Sequence, residues 1–333
     1  VMEATGDGRG KIGYVIRMIR FQSSWSRRPF LSFVLAAALA ALPGLVIGLA
    51  IGLVPGPARA GVGPWVTFEG GMVRLVSAGP LTDGTYGAGL EFALEPGWHT
   101  YWMHPGEAGI PPELDARPSS NIATVAVQFP YPERYDDGFS QSNIYKDGVL
   151  LPLVVTPQDP ARPVDLDLTV TFGICKEICI PGEARVALAL EPAAQPDPAS
   201  ARAIARALAD VPGAPGPDSP QVSRLFLRKD PQKEKLDISL ALPAGLTLDD
   251  VSVFVAAPDA LSLGVPRRRQ PDWKKATGDW VLALSGLPKS RKEVTLSFVL
   301  VARGKAVTQT VRLNRDTGVA VAIDAPPSLA ATR

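Results

Sequence analysis

From residue 61 onward the chain is a succession of short apolar runs in which polar residues recur at every second place, cut by Gly, Pro, Asn and Asp. The runs 66–68, 72–76, 86–94, 124–129, 149–155, 166–172 and 184–190 read as strands, because a period of two places alternate side chains on opposite faces of a sheet. Seven such strands in about 130 residues predict a β-sandwich. From Glu191 to Gln221 the composition shifts to Ala, Pro, Asp and Ser, with one helix expected over 199–210. A second strand series follows at 222–227, 236–242, 251–255, 280–284, 294–301 and 306–313. The expected organisation is a first β domain over 61–191, a Pro/Ala-rich linker with a short helix over 192–221, a second β domain over 222–325 and a frayed tail over 326–333.

Ahead of these strands the pattern changes. Residues 1–29 carry six basic and two acidic side chains, Phe30 to Val54 is almost wholly apolar, and Ala58-Arg59-Ala60 offers small residues for cleavage before Gly61. Residues 1–60 are therefore expected to be an export signal cleaved after Ala60. Ser26-Arg27-Arg28-Pro29-Phe30-Leu31 leaves both the twin-arginine and the general secretory route open. An apolar stretch of this length also suffices for an uncleaved membrane anchor. On either reading the remainder lies outside the cytoplasm, where disulfides persist. Met2 and Met18 allow a later start than Val1. After Ala60 no apolar run approaches membrane-spanning length. Without residues 1–60 there are 27 basic and 31 acidic side chains, a balance that argues against nucleic-acid binding.

Candidate chemistry concentrates in the only two cysteines of the chain, in Phe172-Gly-Ile-Cys175-Lys-Glu-Ile-Cys179-Ile-Pro181. A disulfide across so short a loop removes only roughly 2 kcal/mol from the unfolded chain, so it is a poor staple and reactivity is the sharper reading. The turn joins strands 166–172 and 184–190, which puts both sulfurs at one end of the sandwich within a partner's reach. Lys176 would favour a thiolate and Glu177 would oppose it, leaving the thiol acidity open. Two neighbouring thiols suit exchange, in which one attacks a disulfide sulfur and the other resolves the mixed disulfide. A passive bridge in an exported protein is the alternative.

Three segments in order resemble the N-terminal domain of the thiol:disulfide interchange protein DsbD, and more closely its relatives in copper-tolerance reductases of the ScsB type. They are Gly97-Trp-His-Thr-Tyr-Trp-Met-His-Pro-Gly-Glu-Ala-Gly109, then Tyr135-Asp-Asp-Gly-Phe-Ser-Gln-Ser-Asn-Ile-Tyr-Lys-Asp147 leading into Leu150-Leu-Pro-Leu153, and the cysteine hairpin. The resemblance covers roughly 62–191. It implies an immunoglobulin-like sandwich whose redox pair takes electrons from a membrane-embedded reductase and passes them to oxidised periplasmic thiol proteins. It also implies that Cys179 forms the mixed disulfide with the client and Cys175 resolves it. The client would be a thioredoxin-like protein or an isomerase, serving cytochrome c maturation or copper tolerance. No polytopic membrane segment and no Cys-x-x-Cys module follows in this sequence, so the expected donor is a separate protein.

In the family a mobile cap loop carries an aromatic side chain that shields the sulfurs. The corresponding stretch is Tyr135 to Tyr145, with Asp136 and Asp137 as candidate acid groups and Phe139 as candidate shield. Gly138 stands where the family carries its shielding aromatic, so either Phe139 takes that role or the site is more open. Asn143, Ile144 and Tyr145 are expected as scaffold, and Tyr101 is expected to pack under the cysteines or simply to join the core.

Other classes of reading compete. His99, Met103 and His104 with the two cysteines would allow a copper(I) site. The histidines stand five positions apart, however, which on a strand puts them on opposite faces, so no metal ligand and no cofactor is assigned. Arg267–Arg269 with Lys274 and Lys275 near Trp273 would dock an acidic partner or anionic lipid, or else form a solvated loop. A structural β adaptor with an inert disulfide is the third class. The expectation is an all-β protein, an immunoglobulin-like sandwich followed by a smaller sandwich-like domain. It would act in the periplasm as a protein-disulfide reductase or interchange protein.

Overall fold

The computed structural model of the chain describes residues 61–229, 233–257, 263–269, 278–284, 287–288, 290–323 and 329–330. The expected export segment, Lys274 and Lys275 lie outside these residues. In chain order the first strands are β1 (Val66–Phe68), β2 (Gly71–Pro80), β3 (Tyr86–Leu94), β4 (His99–Gly106), β5 (Glu113–Asp115) and β6 (Ile122–Val127). Then come β7 (Glu133–Asp136), β8 (Gln141–Lys146), β9 (Gly148–Pro157), β10 (Val164–Cys175) and β11 (Cys179–Leu190), before helix α1 (Pro198–Ala209). The second series is β12 (Gln221–Lys229), β13 (Glu234–Ala241), β14 (Val251–Ala256), β15 (Arg267–Arg268) and β16 (Trp280–Ala283). It closes with β17 (Glu293–Ala302), β18 (Lys305–Asn314), β19 (Ala320–Ile323) and β20 (Leu329–Ala330).

Two sheets face each other in the first sandwich, with strand orders β1-β2-β3-β9-β6-β20 and β11-β10-β4-β8-β7, and β5 adds to β10. The alternation in β10 explains its place: Val164, Leu166, Leu168, Val170, Phe172 and Ile174 are buried in the core between the sheets. Asp165, Asp167, Thr169 and Thr171 occupy the opposite phase. Phe172 anchors the far end of the strand, with ring centroids 4.8 Å from Phe68 and 5.1 Å from Phe92. Burying one such ring stabilises the fold by about 2–3 kcal/mol.

Strands β4 and β8, central to the second sheet, carry no period-two signal. His99, Thr100, Tyr101 and Trp102 are all buried, as are Ser142, Asn143, Ile144 and Tyr145. Several buried polar side chains here are bonded within the protein rather than solvated, so hydropathy does not mark the strands. Thr100 donates to the Gly173 carbonyl at 2.8 Å, Asn143 to the His104 carbonyl at 2.8 Å and Tyr145 to the Pro130 carbonyl at 2.6 Å.

Helix α1 starts one residue before the predicted span. Asp197 caps it by accepting from Ser200 N–H at 2.8 Å, Pro198 fits the first turn, and Ile204 is buried. The second sandwich pairs β12-β13-β16-β15 with β14-β17-β18-β19 around Leu236, Ile238, Leu282, Leu296, Phe298 and Leu313. Its β14–β17 sheet has two buried faces, because Phe254, Ala256 and Val299 join the first sandwich's core. Trp102 meets Phe254 edge-on at 6.2 Å, and the Arg134 guanidinium lies 4.9 Å over the Phe254 ring while donating to the Val253 carbonyl at 2.8 Å.

Candidate functional site

The β10–β11 ladder runs without a slip from Val164↔Leu190 to Cys175↔Cys179, so only Lys176, Glu177 and Ile178 lie outside it. Both cysteines fall in the phase opposite the core-facing residues, which turns their side chains to the outer face of the sheet. They form a disulfide with Cα atoms 4.2 Å apart. The two sulfurs differ in surroundings. Cys175 is 3% exposed, whereas Cys179 is open to solvent.

What covers Cys175 is built from β4 and β8. Cys175 pairs with His99 in register, and Tyr101, two residues further along β4, lies on the same face opposite Ile144. Tyr101, Ile144 and Cys175 form a small buried cluster separate from the main core. The Tyr101 hydroxyl stands 2.7 Å from Cys175 Sγ and 3.1 Å from Cys179 Sγ. Burial foremost, then the charge of Asp137 and the neighbouring Tyr135, pushes the Tyr101 pKa up to about 12. At neutral pH this phenol is a hydrogen-bond donor held against both sulfurs. Gly109 (φ 123°) lets the following loop close over the ring: a Cβ there would sit 2.2 Å from Tyr101 Cε1. Only glycine permits both that backbone and that approach.

His99 continues the aromatic cluster outward, with its ring 5.6 Å from Tyr101 and 4.9 Å from Tyr135. Burial lowers its pKa, so the ring is neutral at pH 7. His104 is buried elsewhere, with its Nε2 accepting from Leu263 N–H at 3.2 Å. The two histidines thus serve different contacts. Among the described residues no group of three His, Cys, Asp or Glu side chains is placed to share a metal ion.

Of the two readings of the turn from Asp136 to Gln141, the more open site matches the arrangement here. Phe139 is 99% exposed, and a ring so exposed covers neither sulfur in this arrangement. Gly138, with φ 86°, turns the chain outward at that point. Asp136 accepts from Gly138 N–H at 2.9 Å and from the Gln141 side chain at 2.8 Å, while Asp137 accepts from Phe139 and Ser140 N–H at 2.8 and 2.7 Å. These bonds, from Gln141 above all for Asp136 and from Ser140 for Asp137, hold both carboxyls below the usual range. Both are ionised turn-formers, and neither is poised to give up a proton at neutral pH. Asn143, Ile144 and Tyr145 are scaffold as expected.

Each of the three arginines of the 267–269 cluster has a partner within the molecule. Arg267 binds Glu107, Arg268 lies over the Trp280 ring and pairs with Asp249, and Arg269 with Arg228 pairs with buried Asp237. Residues that periodicity did not mark complete the surroundings: Ile110, whose carbonyl accepts from Gly173 N–H at 3.0 Å, and Glu107, which binds the root of the 136–141 turn. The Gly109 in the quoted first motif was the available signal for that loop.

Comparison with known proteins agrees with this construction. Residues 74–191 match the family profile of the thiol:disulfide interchange protein DsbD, N-terminal. The chain is similar in structure to the N-terminal periplasmic domain of ScsB from Proteus mirabilis, with a TM-score of 0.57 and 20% identity over 78% of this chain and 99% of that one. No curated protein matches by sequence. The expected resemblance and the all-β, immunoglobulin-like fold stand on these findings. No helix among the described residues is long and apolar enough to cross a membrane.

Proposed function

We propose that this chain is a periplasmic thiol-disulfide exchange protein that relays two electrons from a separate membrane-embedded reductase to oxidised thiol proteins through Cys175 and Cys179. The observation that carries this reading is the unequal placement of the sulfurs, one buried against the Tyr101 hydroxyl and one exposed. In the loading step a donor thiolate attacks Cys179 Sγ, the sulfur it can reach. The S–S bond breaks and Cys175 leaves as a thiolate that accepts a hydrogen bond from Tyr101. The donor's second thiolate then attacks its own sulfur in the mixed disulfide, releasing Cys179 and leaving the donor oxidised. In the unloading step Cys179 thiolate attacks a client disulfide, one client thiolate leaves, and Cys175 attacks Cys179 Sγ to restore the internal bond and release the reduced client. Each step passes two electrons and two protons forward, from donor to this chain and from this chain to client.

The rim of the site suits a protein partner. Ile178 at the hairpin tip is 75% exposed, Ile110, bonded to Gly173, is 41% exposed, and Tyr135, whose ring lies against His99, is 38% exposed. Exposed apolar side chains gathered around one reactive sulfur fit a thioredoxin-like or isomerase client with an apolar surround at its own disulfide. Trapping tests the reading. Cys175→Ser should accumulate mixed disulfides with a client because the second exchange is blocked, and Cys179→Ser should accumulate few. Equal trapping by both variants would remove the assignment of roles, and no trapping by either in a folded protein would reduce the pair to a passive bridge.

A further inference from the structure

The strand that brings Tyr101 and His99 to the sulfurs is also the strand that the second sandwich grips. β4 leaves its register with β8 after Tyr101↔Ile144 and regains it at Gly106↔Ser142, so residues 102–105 bulge from the ladder. Within the bulge Trp102 packs on Phe254 and His104 binds Leu263. Gly106 is pinched where the bulge ends: a Cβ would lie 2.8 Å from the Gln141 carbonyl and 2.8 Å from Val265 Cγ1.

Glu107 then ties three parts together. Its carboxylate accepts from Gln141 N–H at 2.9 Å, its own N–H donates to the Gln141 carbonyl at 3.0 Å, and Arg267 Nη2 reaches its two carboxylate oxygens at 2.8 and 2.9 Å. Gln141 in turn donates through its side chain to Asp136 at 2.8 Å. A continuous polar chain therefore runs from Arg267 through Glu107 and Gln141 to Asp136, from the second sandwich to the turn whose Asp137 charge acts on Tyr101.

We propose that Arg267 is a positioning residue for the 136–141 turn, acting through Glu107, and that the second sandwich thereby holds the turn with Phe139 outward and Cys179 uncovered. The turn is stiffened internally by Asp136 and Asp137, so its remaining freedom lies at its root, where Glu107 binds Gln141. The effect on exchange rests on the function proposed above, whereas the effect on the turn does not. Arg267 and Glu107 are partly exposed, with side chains 52% and 28% accessible, so the expected changes are several-fold.

The test uses the oxidised full chain and its Arg267→Met, Arg267→Lys and Glu107→Ala variants. Amide hydrogen exchange is followed at residues 136–141, and reduction by dithiothreitol is compared with reduction by reduced thioredoxin. Arg267→Met should speed exchange in the turn by about fivefold and Glu107→Ala by more, with β10–β11 unchanged and Arg267→Lys close to wild type. The thioredoxin rate should fall relative to the dithiothreitol rate by a similar factor, since a released turn obstructs a large partner more than a small thiol. Unchanged exchange at 136–141 in both Arg267→Met and Glu107→Ala would overturn the proposal. A loosened turn with an unchanged rate ratio would overturn its link to the redox pair. A loosened turn in a protein that traps no client would sink the proposed function and leave the positioning role standing.

Discussion

At neutral pH the Tyr101 phenol keeps its proton, and its hydroxyl touches both sulfurs. A hydrogen bond to a charged acceptor is worth about 1.5–3 kcal/mol, so loss of this donor should raise the pKa of whichever thiol accepts it in the reduced protein. Tyr101→Phe keeps the ring and removes the donor. The pH profile of iodoacetamide alkylation of the reduced protein should move upward accordingly, and an unmoved profile would refute the role. The two histidines make a separate prediction. Burial lowers both pKa values, and for His104 the Leu263 carbonyl opposes this only in part. The unfolded chain therefore takes up protons near pH 6.5 that the native protein refuses. The stability associated with the neutral rings is fully present above about pH 6.5 and is lost as pH falls from there through the lower native values, by up to about 1.4 kcal/mol per pH unit for each ring. Urea midpoints at pH 7.5 and 5.5 should show the fall, and His104→Gln should make it shallower. A flat profile in the parent protein would contradict the neutral buried rings.

The hairpin β10–β11 was largely legible in the sequence because one face of it alternates without a break, and the cysteines follow from that phase. Strands β4 and β8 were not, since polar side chains such as Thr100 and Asn143 are buried in hydrogen bonds that hydropathy does not register. The cap segment was located by resemblance, but its outward set depends on Gly138 and on the contact of Gln141 with Glu107, thirty-four positions away. No local pattern encodes a contact of that separation. Phe139, being almost wholly accessible, adds nothing to packing. Phe139→Ala should leave the thermal midpoint and the rate of reduction by dithiothreitol unchanged within about twofold, and should weaken capture by a protein client by removing apolar docking surface. A large rise in the dithiothreitol rate would instead show that the ring shields the sulfurs in solution.

Across the whole molecule, β14 and β17 face two cores, and Phe254 is the largest side chain that the second sandwich places in the first. Truncating a ring that is 2% exposed should destabilise by about 3–4 kcal/mol. The parent is expected to melt in a single calorimetric transition, and Phe254→Ala to lower the melting temperature and split that transition into two, because the shared surface couples the sandwiches. An unchanged single transition would count against that coupling. The contact between sandwiches was the least legible feature in sequence: Val253 and Phe254 are neighbours in a short apolar strand, and nothing in their spacing distinguishes a strand covered on both sides from one covered on a single side. The position of the disulfide has one more consequence, seen through a thermodynamic cycle. The bond closes a ring that the backbone ladder already holds shut, so folding shifts the balance between dithiol and disulfide by only about 2 kcal/mol, or about 40 mV. Reduction of the pair should therefore lower the melting temperature by only several degrees, which leaves the set point of the couple largely to the phenol and the water around two sulfur atoms.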